Sequence, residues 1–256
     1  MSSIPAPARA PWPAVISVPL RLIYGLYAAL LFLVVALVAL LGVLLMPTLE
    51  MRRGTARIAA RSFFFFAGMP VKRVGRRNLP SGQCIVVANH ASYLDGVVMT
   101  AALPARFGFV VKREMNTVPL AGLLLRRIGT EFVDRFNRHK GGTDARRVLR
   151  TATSGQSLVF FPEGTFTPTV GLGKFHTGAF AIAARAACPV VPAVILGTRR
   201  NMPATRVLPR PGPLEVRFGL PIAPIAEGPE VDPALALRDQ SRQAILQELG
   251  EPDLAA

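Results

Sequence analysis

The apolar positions fall into three patterns along the chain. From Leu22 to Met46 there are 25 residues without a charge, interrupted only by Tyr24, Gly25, Tyr27 and Gly42. As a helix this run extends about 37 Å, against about 30 Å of bilayer hydrocarbon. It can span with some tilt or fold as a re-entrant hairpin bent near a glycine, and it is too long for a cleaved signal peptide. Residues 52–68 then set Arg52, Arg53, Arg57 and Arg61 beside Phe63–Phe66. That suits an interfacial helix with arginines among headgroups and rings in the acyl boundary, or an ordinary core helix. Beyond residue 70, short apolar runs alternate with helix-like segments between turns rich in Gly and Pro. Predicted strands are Cys84–Ala88, Phe107–Val111, Ser157–Phe161, Val190–Leu196 and Leu214–Phe218; predicted helices are Gly96–Ala102, Leu120–Ile128, Thr143–Thr153 and Gly178–Ala187. A last helix has Asp232 as N-cap, Pro233 at its first position and Gly250 past its end. The alternation predicts an α/β fold, a layered mixed sheet flanked by helices, preceded by an N-terminal membrane-embedded helical segment. The expected organisation is a disordered tail over 1–13, a membrane-anchoring helical segment over 14–69 and the α/β domain over 70–256.

Two of these strands end abruptly at polar turns. Cys84–Ala88 runs into Asn89-His90, with Asp95 five residues beyond the histidine. Ligands of open α/β sheets bind beyond the carboxyl ends of the strands, so His90 is a candidate general base and Asp95 its orienter. Ser92-Tyr93-Leu94-Asp95 also has the pattern of a helix amino terminus, in which Asp95 is a capping acid. The two roles are compatible: a helix dipole favours an ionised carboxylate, which fixes an imidazole's tautomer. The second strand ends at Pro162-Glu163-Gly164-Thr165, a turn former whose backbone amides around Gly164 are candidate donors to a substrate oxyanion. Pro192, inside a strand pattern, calls for an edge strand or a bulge. Asp134-Arg135 closes another short run, where an arginine is most often a solvated charge.

Charge narrows the partners. The 256 residues carry 30 Lys+Arg against 15 Asp+Glu, a formal charge of +15, and the excess is mostly arginine. Acidic lipids, phosphorylated substrates or nucleic acid would be attracted. The arginines flanking the apolar run put that flank, and the rest of the chain, on the cytoplasmic side. A mean hydropathy of +0.38 sits on the apolar side for a soluble protein. Cys84 and Cys188 each lie in an apolar run and read as buried thiols in a reducing compartment, with neither a disulfide framework nor a zinc spacing. The three histidines make no metal-ligand spacing, and no Gly-x-Ser-x-Gly nucleophile motif is present.

Taken in order, four stretches resemble the phospholipid acyltransferase family that includes 1-acylglycerol-3-phosphate acyltransferase. They are Asn89-His90 with Asp95 as a His-x4-Asp box, Phe132-Val133-Asp134-Arg135, Phe161-Pro162-Glu163-Gly164-Thr165 and Val191-Pro192. The resemblance covers about residues 84–196. It implies direct attack of an acceptor hydroxyl on an acyl thioester, with His90 taking the proton and Asp95 orienting it. By position it also implies that Lys112 and Arg135 hold an acceptor phosphate, and that Glu163, Gly164 and Thr165 shape the acceptor site. No metal or cofactor is implied: acyl-CoA or acyl carrier protein would be a co-substrate, membrane lipids and a lysophospholipid the other partners. The cell inner membrane is the expected location, with the catalytic domain on the cytoplasmic face. One departure stands out. Phe166 occupies the position where the family commonly has an arginine assigned to the acceptor phosphate, which leaves a lysolipid other than 1-acyl-sn-glycerol 3-phosphate open. Arg199 and Arg200 are a possible substitute or a solvated loop. His176 reads as a satisfied or exposed histidine. The competing classes are a basic nucleic-acid-binding protein and a catalytically idle membrane scaffold. The first has the high pI of 11.4 but no recognisable binding motif, and no nucleic-acid partner is expected.

Overall fold

The computed structural model describes residues 18–134, 138–225 and 232–255; the expected tail over 1–13 and Arg135 lie outside them. Helix α1 (Val18–Leu45) carries the apolar run without a break, and α2 (Leu49–Phe66) folds back along it. The hairpin turns at Met46–Thr48, after the run, so neither glycine bends it. Gly42 instead gives close approach between the helices: a Cβ there would lie 2.9 Å from Thr55 Cγ2. Tyr24 and Tyr27 donate to the carbonyls of Ala67 and Phe66 at 2.7 and 2.9 Å, satisfying acceptors that the end of α2 leaves free. Most large apolar side chains of α1 face outward, Leu22, Ile23, Leu26, Leu30 and Leu33 among them. By length and composition, α1 can cross a membrane.

The phenylalanine block of α2 divides. Phe63 and Phe64 are buried in the core, whereas Phe65 and Phe66 are exposed. Arg53, expected among headgroups, is also buried, and its guanidinium donates to the carbonyls of Ile128, Arg106 and Gly129 and to Gln156 Oε1. A buried guanidinium is tolerated only with such partners, and here it ties α2 to the domain behind it.

The chain continues through β1 (Val71–Val74), β2 (Ile85–Ala88), α3 (Asp95–Ala102), β3 (Phe107–Lys112), α4 (Ala121–Arg127), β4 (Glu131–Val133), α5 (Arg138–Thr153) and β5 (Ser157–Phe160). It ends with α6 (Gly178–Arg185), β6 (Val190–Leu196), the short α7 (Thr198–Asn201), β7 (Leu214–Phe218) and α8 (Pro233–Leu249). The strands form one mixed sheet in the order β1-β7-β6-β2-β5-β3-β4. β2 to β6 run parallel, while β1 and β7 oppose them. Alternate side chains of each strand serve opposite faces. Val86 and Ala88 pack under α2 and α3 with Phe63, Phe64 and Met99. Ile85 and Val87 pack under α5, α6 and α8 with Val148, Phe180 and Ile245. Such two-sided burial is why the central strands read as unbroken apolar runs.

Two strands go beyond the sequence reading, and one expectation is corrected. β1 and β4, at the two edges, were not anticipated: β1 exposes Lys72, Arg73 and Val74, and β4 has only three residues. Pro192 lies in an interior strand, paired with Val87, so the edge-strand alternative fails. It sits where the β6–β7 register steps by one residue between the Ala193–Phe218 pair and the Val190–Ile222 bridge, and its carbonyl accepts from the Gly219 amide at 2.8 Å. That irregularity is what a proline's missing N–H requires.

Candidate active site at the strand ends

β2 delivers Asn89 and His90 to the carboxyl edge of the parallel strands. Asn89 is buried, and its amide both donates to Ile195 O at 3.1 Å and accepts from Ile195 N at 2.7 Å. This two-point clamp fixes the end of β2 to β6 and so sets the base of the His90 loop. Asp95 opens α3 and is fully buried. Its Oδ2 accepts from the amides of Ala91 and Ser92 at 2.6 and 2.8 Å and lies 2.9 Å from His90 Nδ1. Half of the expected capping box forms: the acid binds the Ser92 amide, but Ser92 Oγ accepts from Leu94 N and donates to Met202 O at 2.7 Å. An ionised carboxylate only accepts, so Nδ1 carries the proton and Nε2 presents its lone pair. Nε2 makes no hydrogen bond to a described residue.

The imidazole is held between aromatic rings. Phe161 stacks on it at 4.4 Å between centroids, and Phe166 meets it edge-on at 4.7 Å, itself edge-on to Tyr93 at 4.6 Å. Glu163 acts from below: Oε1 accepts from the His90 amide at 2.6 Å and Oε2 from the Gly173 amide at 2.8 Å. Burial pushes its carboxyl above the usual range, opposed by those two amides. The carboxylate therefore joins the His90 loop to the segment before α6.

Two cavities meet at Phe161. One, of about 570 Å³, is lined by Lys112, Glu163, Gly164, Thr165 and His176. These include four of the five residues expected to bind substrate; Lys112 and Thr165 are exposed there, while Arg135 lies outside the described residues. The second, of about 290 Å³, is lined almost wholly by apolar side chains of α1 to α4 and the adjoining strands, including Phe32, Phe63, Val97, Phe109 and Leu124. His90 is stacked on their shared residue.

The oxyanion expectation at Gly164 needs amending. With φ of +80°, Gly164 closes a turn in which its own N–H donates to Phe161 O at 3.0 Å. The amides of Thr165 and Phe166 make no backbone hydrogen bond among the described residues. Arg199 is also committed: it pairs with Glu251 and donates to the carbonyls of Thr167, Thr169 and Gly171. It staples the loop after Phe166 instead of facing the cavity. Asp144, unmarked by the sequence, accepts from Arg113 at 2.6 Å, from Arg147 at 3.0 Å and from the Asp134 amide at 2.8 Å. Arg147 is one helical turn away, but Arg113 and Asp134 lie on other elements that sequence pattern does not pair with it.

A carboxylate-paired histidine at the carboxyl end of the central strand, beside an apolar cavity under a helical hairpin, defines a sheet-borne His–Asp site. Residues 70–196 match the family described as Acyltransferase. A chloroplastic 1-acyl-sn-glycerol-3-phosphate acyltransferase of Brassica napus is 34% identical over 131 residues, 50% of this chain and 38% of its own. The Saccharomyces cerevisiae enzyme of that name is 31% identical over 70% of this chain and 62% of its own, and the Mycoplasma pneumoniae protein described as a probable one is 30% identical over 64% and 65%. The matched region is thus under two thirds of each relative's length. The crystal structure of the 1-acyl-sn-glycerophosphate acyltransferase PlsC from Thermotoga maritima superposes with a TM-score of 0.74, covering 89% of this chain and 95% of that one at 24% identity, which bears on the fold. The chain belongs to the acyltransferase family of these proteins.

Proposed function

We propose that the protein transfers a fatty acyl group from a thioester, acyl-CoA or acyl carrier protein, to the free hydroxyl of a lysophospholipid, with 1-acyl-sn-glycerol 3-phosphate the first choice. The product would then be phosphatidic acid. The observation that carries this reading is the 2.9 Å His90–Asp95 contact, with Nε2 unengaged among described residues and the imidazole stacked on Phe161, which lines both cavities. His90 Nε2 takes the hydroxyl proton as the oxygen attacks the thioester carbonyl. The C–O bond forms, the C–S bond breaks, and the imidazolium returns the proton to the departing thiolate. Asp95 holds the tautomer and offsets the imidazolium charge. The amides of Thr165 and Phe166, without backbone acceptors among the described residues, are candidate donors for the oxyanion. The apolar cavity suits an acyl chain, and Lys112 the headgroup phosphate. Both ends of α1 lie against the α/β domain, so its outward apolar face would embed in the bilayer surface, and the arginine flank puts the site at the cytoplasmic face of the inner membrane.

The names of the relatives favour the lysophosphatidic acid acceptor. Phe166 favours a second reading, a different lysolipid: it packs on His90 and Tyr93, and Arg199 is held by Glu251 and loop carbonyls. Purified full-length protein in mixed micelles, offered acyl-CoA or acyl carrier protein and a panel of lysolipids, should form diacyl product detectable by mass spectrometry. Transfer to no lysolipid would overturn the substrate class.

A further inference from the structure

The loop after α7 folds back onto the first turns of α1. Leu208 seats against Gly25, where a Cβ would lie only 2.8 Å from Leu208 Cβ, and the Arg210 amide donates to Asn201 O. Between loop and helix lies a crevice of about 360 Å³ walled by Arg21, Arg206 and Arg210 together with Leu22, Val207 and Pro209. None of the three arginines makes an ion pair with a described acidic residue, and Arg210 Nε is buried without a hydrogen-bond partner. Burial, with Arg206 and Arg21 nearby, lowers the Arg210 pKa. Three like charges facing one space, one of them with an orphaned donor, need an anion to complete them.

The position says which anion. Arg21 is the last charge before the 25 uncharged residues of α1, so the crevice lies where that helix passes from polar to apolar surroundings. Val207, between the arginines, is 85% exposed, and Leu20, Leu22 and Ile23 also face outward. An occupant therefore meets guanidinium forks and an open apolar surface together. We propose that this crevice binds the phosphate of an anionic phospholipid, at a site separate from the His90 centre, fastening the 203–210 loop to α1. The phosphate oxygens match guanidinium forks bidentately, and the acyl chains lie along the outward face of α1. Because Met202 O accepts from Ser92 in the His90 loop, the occupied crevice also steadies that loop.

Native mass spectrometry and titration of the full-length protein in neutral detergent, with phosphatidylglycerol as probe, test this. One saturable phosphatidylglycerol is expected on the wild type, with affinity falling about tenfold or more in R206A/R210A. R150A/R185A, which removes two exposed charges from α5 and α6 on the other face of the sheet, should bind like wild type. R206K/R210K keeps the charge and loses the fork; it should bind more weakly than wild type and carries the test if the alanine variant melts early. Inorganic phosphate at constant ionic strength should not displace the lipid; displacement would assign the crevice to free phosphate and overturn the lipid. Unchanged affinity in R206A/R210A, or equal loss in R150A/R185A, would overturn the site itself. The readout is binding, so failure here leaves the proposed acyl transfer untouched.

Discussion

Asp95 has the most demanding position of any side chain in the site. It is buried, its Oδ2 serves two amides and an imidazole, and its Oδ1 has no partner among the described residues. Asp95→Asn keeps one acceptor oxygen but no longer enforces the tautomer with a free Nε2. It should lower kcat about 10²- to 10⁴-fold with little change in KM for the thioester; a kcat within about twofold of wild type would make Asp95 a capping acid only. Glu163 gives a pH test. Its folded pKa is raised, so its contribution to stability is full below the ordinary glutamate range and is lost as pH rises through the folded value. Glu163→Gln removes that titration. The melting temperature of wild type relative to the variant should fall as pH rises above about 4.5; a difference independent of pH would contradict burial as the cause. His90 and Asp95 were legible as residues because a strand end, a polar turn and a five-residue spacing are local. The aromatic seat of Phe161 and Phe166 was not: their rings come from the segment after β5, and sequence pattern does not reveal which rings meet.

At the level of elements, burial decided what could be read. β2, β5 and β6, covered on both faces, are continuous apolar runs and were located within a residue or so. The edge strands β1 and β4 carry charges or are too short to show a period. Asp144 illustrates a second blind spot, since it joins α5 to Arg113 and to the Asp134 amide. Asp144 is buried, which raises its pKa, but Arg113, the Asp134 amide and Arg147 outweigh that and hold it below the usual range. The resulting stability is present above the unfolded aspartate range and is lost as pH falls through the lowered value. Asp144→Asn should therefore destabilise by about 1–2 kcal/mol at pH 7, the lower end applying because Arg113 and Arg147 are 44% and 39% exposed. The deficit should shrink in acid, as seen by denaturant unfolding at pH 7 and pH 3. A deficit as large at pH 3 would place the effect in packing, not charge.

Over the whole molecule, two bodies of different chemistry are joined by side chains that reach far along the sequence. Arg53 crosses from α2 to carbonyls at Arg106, Ile128 and Gly129, a role that its arginine-rich neighbourhood disguised as headgroup binding. The α/β alternation and the unbroken apolar run of α1 were legible because each is a sustained pattern. The meeting of the two at an apolar cavity beside His90 was not, because it depends on how the hairpin docks. That docking gives the central claim its meaning: a proposed base at the carboxyl end of the central strand, beside an apolar cavity. The most direct test is the single-turnover rate of thiol release from an acyl thioester in the presence of lysophosphatidic acid, comparing wild type with His90→Ala. A fall of about 10²- to 10⁴-fold, with the fold intact by circular dichroism, is expected for loss of a general base. Release at the wild-type rate would show that His90 is not the base.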